Sequence, residues 1–543
     1  MRDDYPAQPV EETPAGVAAK GMVAENAMVS ALGKAVSLHM AGKPKEALAE
    51  LNSALESGQG NVELYSARGH IQFELEMYED AAKSYLNLLD QDSSHPTGSF
   101  NLAVCLEKLG RWQQAEQRFR KAIEIDSKRV EARLGLAISL LHMEQPEPAL
   151  ESFDKYLETN PSDGTAMFGR GVALQLLWRF DEATSIYKQM LLKNPSSEES
   201  LTNLVAIAMT RKDENLTREY SEKLLALRPF SQAAMEGLAT CAFSSGDYDA
   251  ASKLCARLVE FTPDHFERLF NLGVAYQKTN RMEQAAHAYD EAIRVRPDAK
   301  QAFVNLGIVK QGMNDLKGAR DAYQRALKIT PDVPDVLFNL ATVVEQQGSK
   351  ADAEKQYQRL VVKHPEYEEA WFRLGFLRLE RGDYKGSAEA FEACLRKKPT
   401  WSEALVNLGI SHWKAGNRDA AANTFQRMLE LQPDSVDAMR GLAAIAVEKE
   451  DFTSALELQA KLIDRGERSP ELFYNTGLLL QQSGQMDDAI RLYREALNEK
   501  PDFAEALLNL GHALKTKGDV DEAHSCWRQA IDAKPELARG YFE

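Results

Sequence analysis

What this chain of 543 residues lacks narrows its chemistry first. It holds only five cysteines, Cys105, Cys241, Cys255, Cys394 and Cys526, an odd set with no C-x-x-C spacing. They read as core filler in a reducing compartment, not as a disulfide or metal framework. Ten histidines are scattered without an H-E-x-x-H, and His524 and Cys526, two residues apart, diverge on a helix, so no metal site is expected. The glycines of the GRG at 169–171 do not continue as a dinucleotide fingerprint, and the GK at 33–34 lacks the rest of a phosphate loop. No apolar run approaches a membrane span, and the opening MRDDYPAQPVEETPAG has acids and prolines where a signal peptide needs a basic and then an apolar stretch. Basic residues are outnumbered 65 to 82, leaving a net charge of -17 that argues against a dedicated nucleic-acid binder. These absences predict a cytoplasmic chain that is not an enzyme, has no cofactor and no metal, and does not insert in a membrane.

What is present is a period. Prolines stand at 161, 195, 229, 263, 297, 331, 365, 399, 433, 501 and 535, spaced by 34 residues or twice that. Extending the frame back through Ser127, Ser93, Gln59 and Glu25, and across the gap at Glu467, gives 15 units over residues 26–535 without an insertion. Numbering each unit from the residue after its preceding proline slot, position 22 is Ala in all but two units, which have Thr217 and Ser387. Position 10 is Gly or Ala except for Val205, position 9 is mostly a large apolar residue, and position 26 is often aromatic, as in Tyr289, Tyr323, Phe391 and Trp527. Apolar spacings of three and four make each unit two helices, with small residues where the pair crosses closely. Residues able to cap a helix directly follow the slot (Ser162, Asp264, Asp298, Asp332, Thr400, Asp434, Asp502), while Gly246, Gly348, Gly382, Gly416, Gly484 and Gly518 fall between the two helices where a left-handed residue is wanted. No strand pattern survives.

This Leu-Gly, Ala, aromatic, Ala and Pro pattern resembles the tetratricopeptide repeat family over almost the whole chain. The resemblance implies an all-α solenoid of 15 helix pairs forming a right-handed superhelix, with first helices lining the inner surface. Residues 1–25 are expected to be a flexible tail, and 536–543 the truncated start of a further helix.

Function must then come from a surface. On a first helix, positions 6, 9, 10 and 13 share one face and positions 4, 8, 11 and 15 the opposite one. Position 11 is nevertheless apolar in 11 of 15 units, as Val274, Ile308, Phe376 and Ile410. These residues either pack on the next helix pair or form an apolar strip for an extended or helical peptide. Phe270, Phe338 and Phe372, at position 7 on the flank, are candidate anchors beside Phe376.

Position 8 carries asparagine in eight units: Asn101, Asn203, Asn271, Asn305, Asn339, Asn407, Asn475 and Asn509. An amide offers a donor and an acceptor, so a row of them can hold a peptide backbone; each can equally bridge adjacent helices. Arg373 interrupts the row and could meet a carboxylate or an acidic residue. The row resembles the asparagine-lined superhelix of O-GlcNAc transferases, although no glycosyltransferase region is present. The Lys, Asn, Asn, Lys, Arg clamp of chaperone-binding relatives is not matched: Glu369 stands where its second lysine belongs, and Val304 and Ile308 occupy the first-unit positions. Acids at position 4, such as Glu267, Glu369 and Glu505, complement the helix dipole or form an acidic groove edge.

The reading is a noncatalytic scaffold or adaptor that binds peptide segments of protein partners in its concave groove, which the far face of the first helices lines, with Asn101, Asn203, Asn271, Asn305, Asn339, Asn407, Asn475, Asn509, Phe270, Phe338, Phe372, Arg373 and Phe376 as the peptide-binding residues. Its alternatives are the substrate-recognition module of a larger enzyme, such as a protein glycosyltransferase, and a scaffold that self-associates through its end units. The sixth unit, 196–229, which combines Val205, Thr217, Ser221 and Leu224, is expected to be the soft point, with a milder weakness around 459–476.

Overall fold

A computed structural model describes residues 31–58 and 60–537; the expected tail at 1–25 and the final residues 538–543 lie outside the described part. The described residues form thirty α-helices and one short 3-10 turn, with no strand. They fall into two compact bodies. The first, up to Pro263, holds seven helix pairs from Ala31–Met40 to Tyr248–Phe261. The second, from Asp264, holds eight pairs from Phe266–Lys278 to Val520–Ala533. Fifteen pairs in a frame of 34 make an all-α helical solenoid of tetratricopeptide type, as the periodicity requires. No helix among the described residues is long and apolar enough to cross a membrane.

Within each body a first helix packs on its own second helix and on the second helix of the preceding unit. At most joints within a body, successive first helices also touch one another. The chain reverses between the two helices at position 17, and there the backbone is left-handed in every unit. Eight units use glycine at this point, while Glu76, Glu144, Trp178, Lys212, Asn280, Asn314 and Glu450 accept the strain of a positive φ without it.

Capping differs from the expectation by one residue. Thirteen of the first helices start at position 3, so the capping residue there is at position 2 and not directly after the slot. Asp163, Ser197, Ser231, Ser435 and Ser469 accept there from a backbone N–H three residues on. Second helices take their caps from position 18, where Asp213, Asp247, Asp315, Asp383 and Asp451 do the same.

The core repeats with the sequence. Position 22 is fully buried in every unit, Ala and its two polar substitutes alike. Position 26 supplies the bulk: Phe119, Phe153, Tyr187, Tyr289, Tyr323, Tyr357, Phe391, Phe425 and Tyr493 rank among the largest fully buried side chains. Each ring needs a small residue opposite. At Gly307 an added Cβ would come within 2.5 Å of the Tyr323 ring, so nothing larger than glycine fits without a shift. All five cysteines are free and buried, and burial pushes the Cys105 and Cys394 thiols up to about 12.

Candidate functional site: the face of the first helices opposite the core

The face of the first helices opposite the core was expected to carry the function, and its exposure separates it from the positions beside it. Position 9 is buried in most units, as Leu272, Leu306, Leu374 and Leu408. Of the eleven apolar residues at position 11, none is buried: Val36, Ala206 and Ile308 are exposed, and Val104, Ile138, Val172, Val274, Phe376, Ile410, Ala444 and Leu478 are half-buried. Neighbouring units therefore cover this column only in part. An apolar side chain left partly exposed still has surface to bury against a ligand.

The asparagines at position 8 flank that column in mixed states. Asn271 and Asn475 are exposed, while Asn101, Asn203, Asn305, Asn339, Asn407 and Asn509 are half-buried. Several have partners within the protein. Asn305 Nδ2 donates to the Tyr289 hydroxyl at 3.3 Å, and that hydroxyl donates to Gln277 Oε1 at 2.8 Å. Asn509 Nδ2 reaches the Tyr474 hydroxyl at 3.1 Å and the Glu505 carbonyl at 2.9 Å, and Asn407 Nδ2 donates to the Glu403 carbonyl at 2.7 Å. In the contacts of Asn305, Asn407 and Asn509 the amide nitrogen is engaged, which leaves the amide oxygen as the acceptor a ligand could use.

A second polar column accompanies the first and is not evident from the sequence frame alone. At position 14, Gln175, Gln277, Gln311, Glu345 and Gln481 each accept from the position-26 tyrosine hydroxyl of their own unit, at 2.7–3.3 Å. The tyrosines are thus core rings whose polar end emerges at the first-helix face. Burial raises their pKa, for Tyr357 to about 12, so they remain neutral donors. The signal was the co-occurrence of tyrosine at 26 with Gln or Glu at 14.

Arg373 belongs to the same network. Its Nε lies 3.2 Å from Glu345 Oε2 and its Nη2 contacts Glu345 Oε1, so the guanidinium fork is met by a carboxylate of the preceding unit. Burial lowers the Arg373 pKa, but the charge of and hydrogen bond to Glu345 outweigh it, and the net shift is upward. Its guanidinium carbon also sits 5.6 Å from the centre of the half-buried Phe376 ring.

Of the position-7 aromatics, Phe338 and Phe372 are built into the joints between units, while Phe270 packs on rings of its own unit. Phe338 packs 5.6 Å from Tyr357 and 5.4 Å from Tyr367 of the next unit. Phe372 lies 5.6 Å from Phe391 and stacks at 4.6 Å on Trp401 of the next unit, and Phe270 sits 5.7 Å from both Phe266 and Tyr289. All three stay half-buried. Position-4 acids have local uses as well: Glu267, Glu369 and Glu505 pair with Arg296, Lys398 and Lys534 at 2.7 Å, and Asp335 accepts from the Tyr367 hydroxyl at 2.9 Å. These pairs are largely exposed and each is worth little on its own.

Comparison with known families agrees with the frame. Two family models described as tetratricopeptide repeat match residues 106–169 and 480–540, and residues 66–129, 218–266, 270–334 and 305–361. Together they reach over more than half of the chain. A model described as the Cilia and flagella-associated protein 70 middle TPR-like domain matches residues 337–446. Among solved structures, YrrB, titled a TPR protein with an unusual peptide-binding site, is 23% identical over 35% of this chain and 98% of its own, with a TM-score of 0.31. MamA from Desulfovibrio magneticus RS-1 is 18% identical over 31% of this chain and 96% of its own, with a TM-score of 0.30. The Cut9 and Hcn1 complex of the APC/C is 16% identical, covering 85% of this chain and 98% of the matched one, also with a TM-score of 0.30. A search of curated proteins gives no match.

Proposed function

The chain belongs to the tetratricopeptide repeat family, and from that premise we propose that it is a noncatalytic scaffold holding peptide segments of partner proteins on the face of its first helices turned away from the core. The observation that carries this reading is the exposure of position 11. Eleven units keep an apolar residue there, and not one of those residues is buried. Packing alone would favour covering them or making them polar. Beside this strip the asparagine oxygens supply acceptors for peptide N–H groups, and Asn271 and Asn475 present whole amides. A peptide would thus meet apolar contact along its side chains and amide contact along its backbone. Five unpaired, buried cysteines fit a reducing compartment, and a cytoplasmic setting is part of the proposal.

The test uses the full chain to select ligands from a random-peptide display library. Binding of a selected peptide is then measured by fluorescence anisotropy. Ile308→Lys places a charge in the strip and should weaken binding about tenfold or more, a loss of at least about 1.4 kcal/mol. Val362, 71% exposed on a second helix of the same body, supplies the control Val362→Lys, which should leave affinity unchanged. Equal loss in both variants, or in neither, would overturn the assignment of the face.

A further inference from the structure

The joint between the first two units brings together a set of donors that spacing along the chain conceals. His39 is at position 14 of the first unit, and His70 and Glu74 are at positions 11 and 15 of the second. They sit on helices Ala31–Met40 and Val62–Glu74, one turn separating His70 from Glu74 on the same face. His39 Nε2 is 2.5 Å from Glu74 Oε2, and His70 Nε2 is 3.5 Å from Glu74 Oε1. One ligand atom from each of the three lies within 4.8 Å of the others.

The contact between position 14 of one unit and position 15 of the next belongs to the architecture. It recurs where Gln311 Nε2 meets Gln346 Oε1 at 2.9 Å and where Trp413 Nε1 meets Glu448 Oε1 at 3.0 Å. Those two joints carry amides, an indole and one acid, whereas the first joint adds His70 and offers two imidazoles and a carboxylate. A four-coordinate zinc ion with bonds of about 2.0–2.1 Å separates neighbouring ligand atoms by roughly 3.4 Å. The His70 to Glu74 spacing already matches that edge. The His39 contact needs the carboxylate to draw back by about 1 Å in the same tetrahedral geometry, and all three side chains are only 30–37% exposed at a surface where they can adjust.

We infer that His39, His70 and Glu74 form a binding site for a divalent transition-metal ion of the zinc type, with water in the fourth position. Two imidazole nitrogens and one carboxylate oxygen suit such an ion better than calcium or magnesium, which prefer all-oxygen shells. Because the ligands come from two successive units, the ion would clamp the first helix of the first unit to the first helix of the second. The inference is independent of peptide binding. It departs from the sequence expectation of no metal because that expectation considered ligands close along the chain.

The experiment uses the full chain stripped of metal and titrated with zinc chloride by calorimetry, with cobalt(II) absorption as the geometric readout. Zinc should bind saturably at one equivalent per chain, and cobalt should give the intense visible bands of a four-coordinate site. His39→Gln and His70→Gln should each weaken zinc binding by more than about tenfold, at least the loss seen when merely supporting groups of a metal site are removed. Glu74→Gln should do the same while leaving both imidazoles in place. Circular dichroism of each variant should match the parent. Zinc should also slow amide exchange in residues 31–40 and 62–74, an effect absent in the variants. No saturable zinc binding by the parent, or binding that survives His39→Gln with His70→Gln, would overturn the site.

Discussion

The sixth and ninth units, residues 196–229 and 298–331, fill the same space between their two helices from opposite sides. In the ninth, Gly307 and Ala319 leave room for Tyr323, whose ring is fully buried and whose hydroxyl donates to Gln311 Oε1 at 3.2 Å. In the sixth, Val205 replaces the glycine and Ser221 the aromatic, with Thr217 and Leu224 adding volume nearby; all four are buried. Val205, Thr217 and Ser221 converge on Gly237 of the following unit, where a Cβ would lie 2.2 Å from Ser221 Oγ. The exchange of large for small has therefore restored the filling. It has not restored the polar end: Ser221 Oγ is buried without a hydrogen-bond partner among the described residues. A buried serine is not at fault in itself, since Ser387 Oγ, equally buried, reaches the Gly375 carbonyl and Ser411 Oγ, each at 2.8 Å. Close packing tolerates a swap of volume between helices, but a hydroxyl moved to the wrong side has nothing to bond.

The sharpest way to break this comparison is to truncate both position-26 residues. Tyr323→Ala empties a filled core and should cost about 3–5 kcal/mol. Ser221→Ala removes an unpaired hydroxyl and should be neutral or stabilise by up to about 1 kcal/mol. Urea unfolding of the two variants against the parent checks both; a clear loss of stability in Ser221→Ala would mean that the sixth unit has a hidden polar partner.

A smaller effect is local. Amides of the helix Glu214–Leu227 should exchange faster than those of Leu316–Ile329, and equal protection would contradict a soft sixth unit. The thiols sharpen the same point. Cys255, in the unit after the sixth, and Cys394, in the eleventh, are held protonated by burial, at about 11 and about 12. At pH 8 both should therefore react slowly with a disulfide reagent in the native chain, with Cys255 ahead of Cys394 because its surroundings open more readily.

Much of this fold was legible in the sequence because the frame of 34 carries its own register: a buried Ala at position 22, a ring at 26 and a reversal at 17 follow from small, aromatic and glycine residues at fixed spacing. The cap position was off by one because only the helix start fixes it: of the seven units with a capping residue directly after the slot, two place a second one at position 2, Asp163 and Ser435, while His265, Ala299, Val333, Trp401 and Phe503 stand there without a side-chain cap. The first-helix face was legible as a pattern of exposure. Its bonding was not: the fork of Arg373 on Glu345, the link from Asn305 through Tyr289 to Gln277 and the grouping of His39 with Glu74 depend on side-chain directions across a joint. A periodicity within one unit does not specify those directions. The thirteenth unit illustrates the overlap of the two levels. Gln459 breaks the aromatic column in the sequence, and its buried Oε1 lacks a partner among the described residues.

The central claim is that the position-8 asparagines serve a ligand more than they serve the fold. The measurement that tests it most directly is the triple variant Asn271→Ala, Asn305→Ala and Asn339→Ala, with melting temperature and affinity for a display-selected peptide determined on the same preparation. Removing Asn305 forfeits its bond to Tyr289, while alanine is the better helix former at all three places, so the melting temperature should stay within about 2–4 °C of the parent. Affinity should fall by roughly 1.5–4.5 kcal/mol if each amide contributes about one hydrogen bond. A large drop in melting temperature with unchanged affinity would contradict the account and make these asparagines the mortar between repeats.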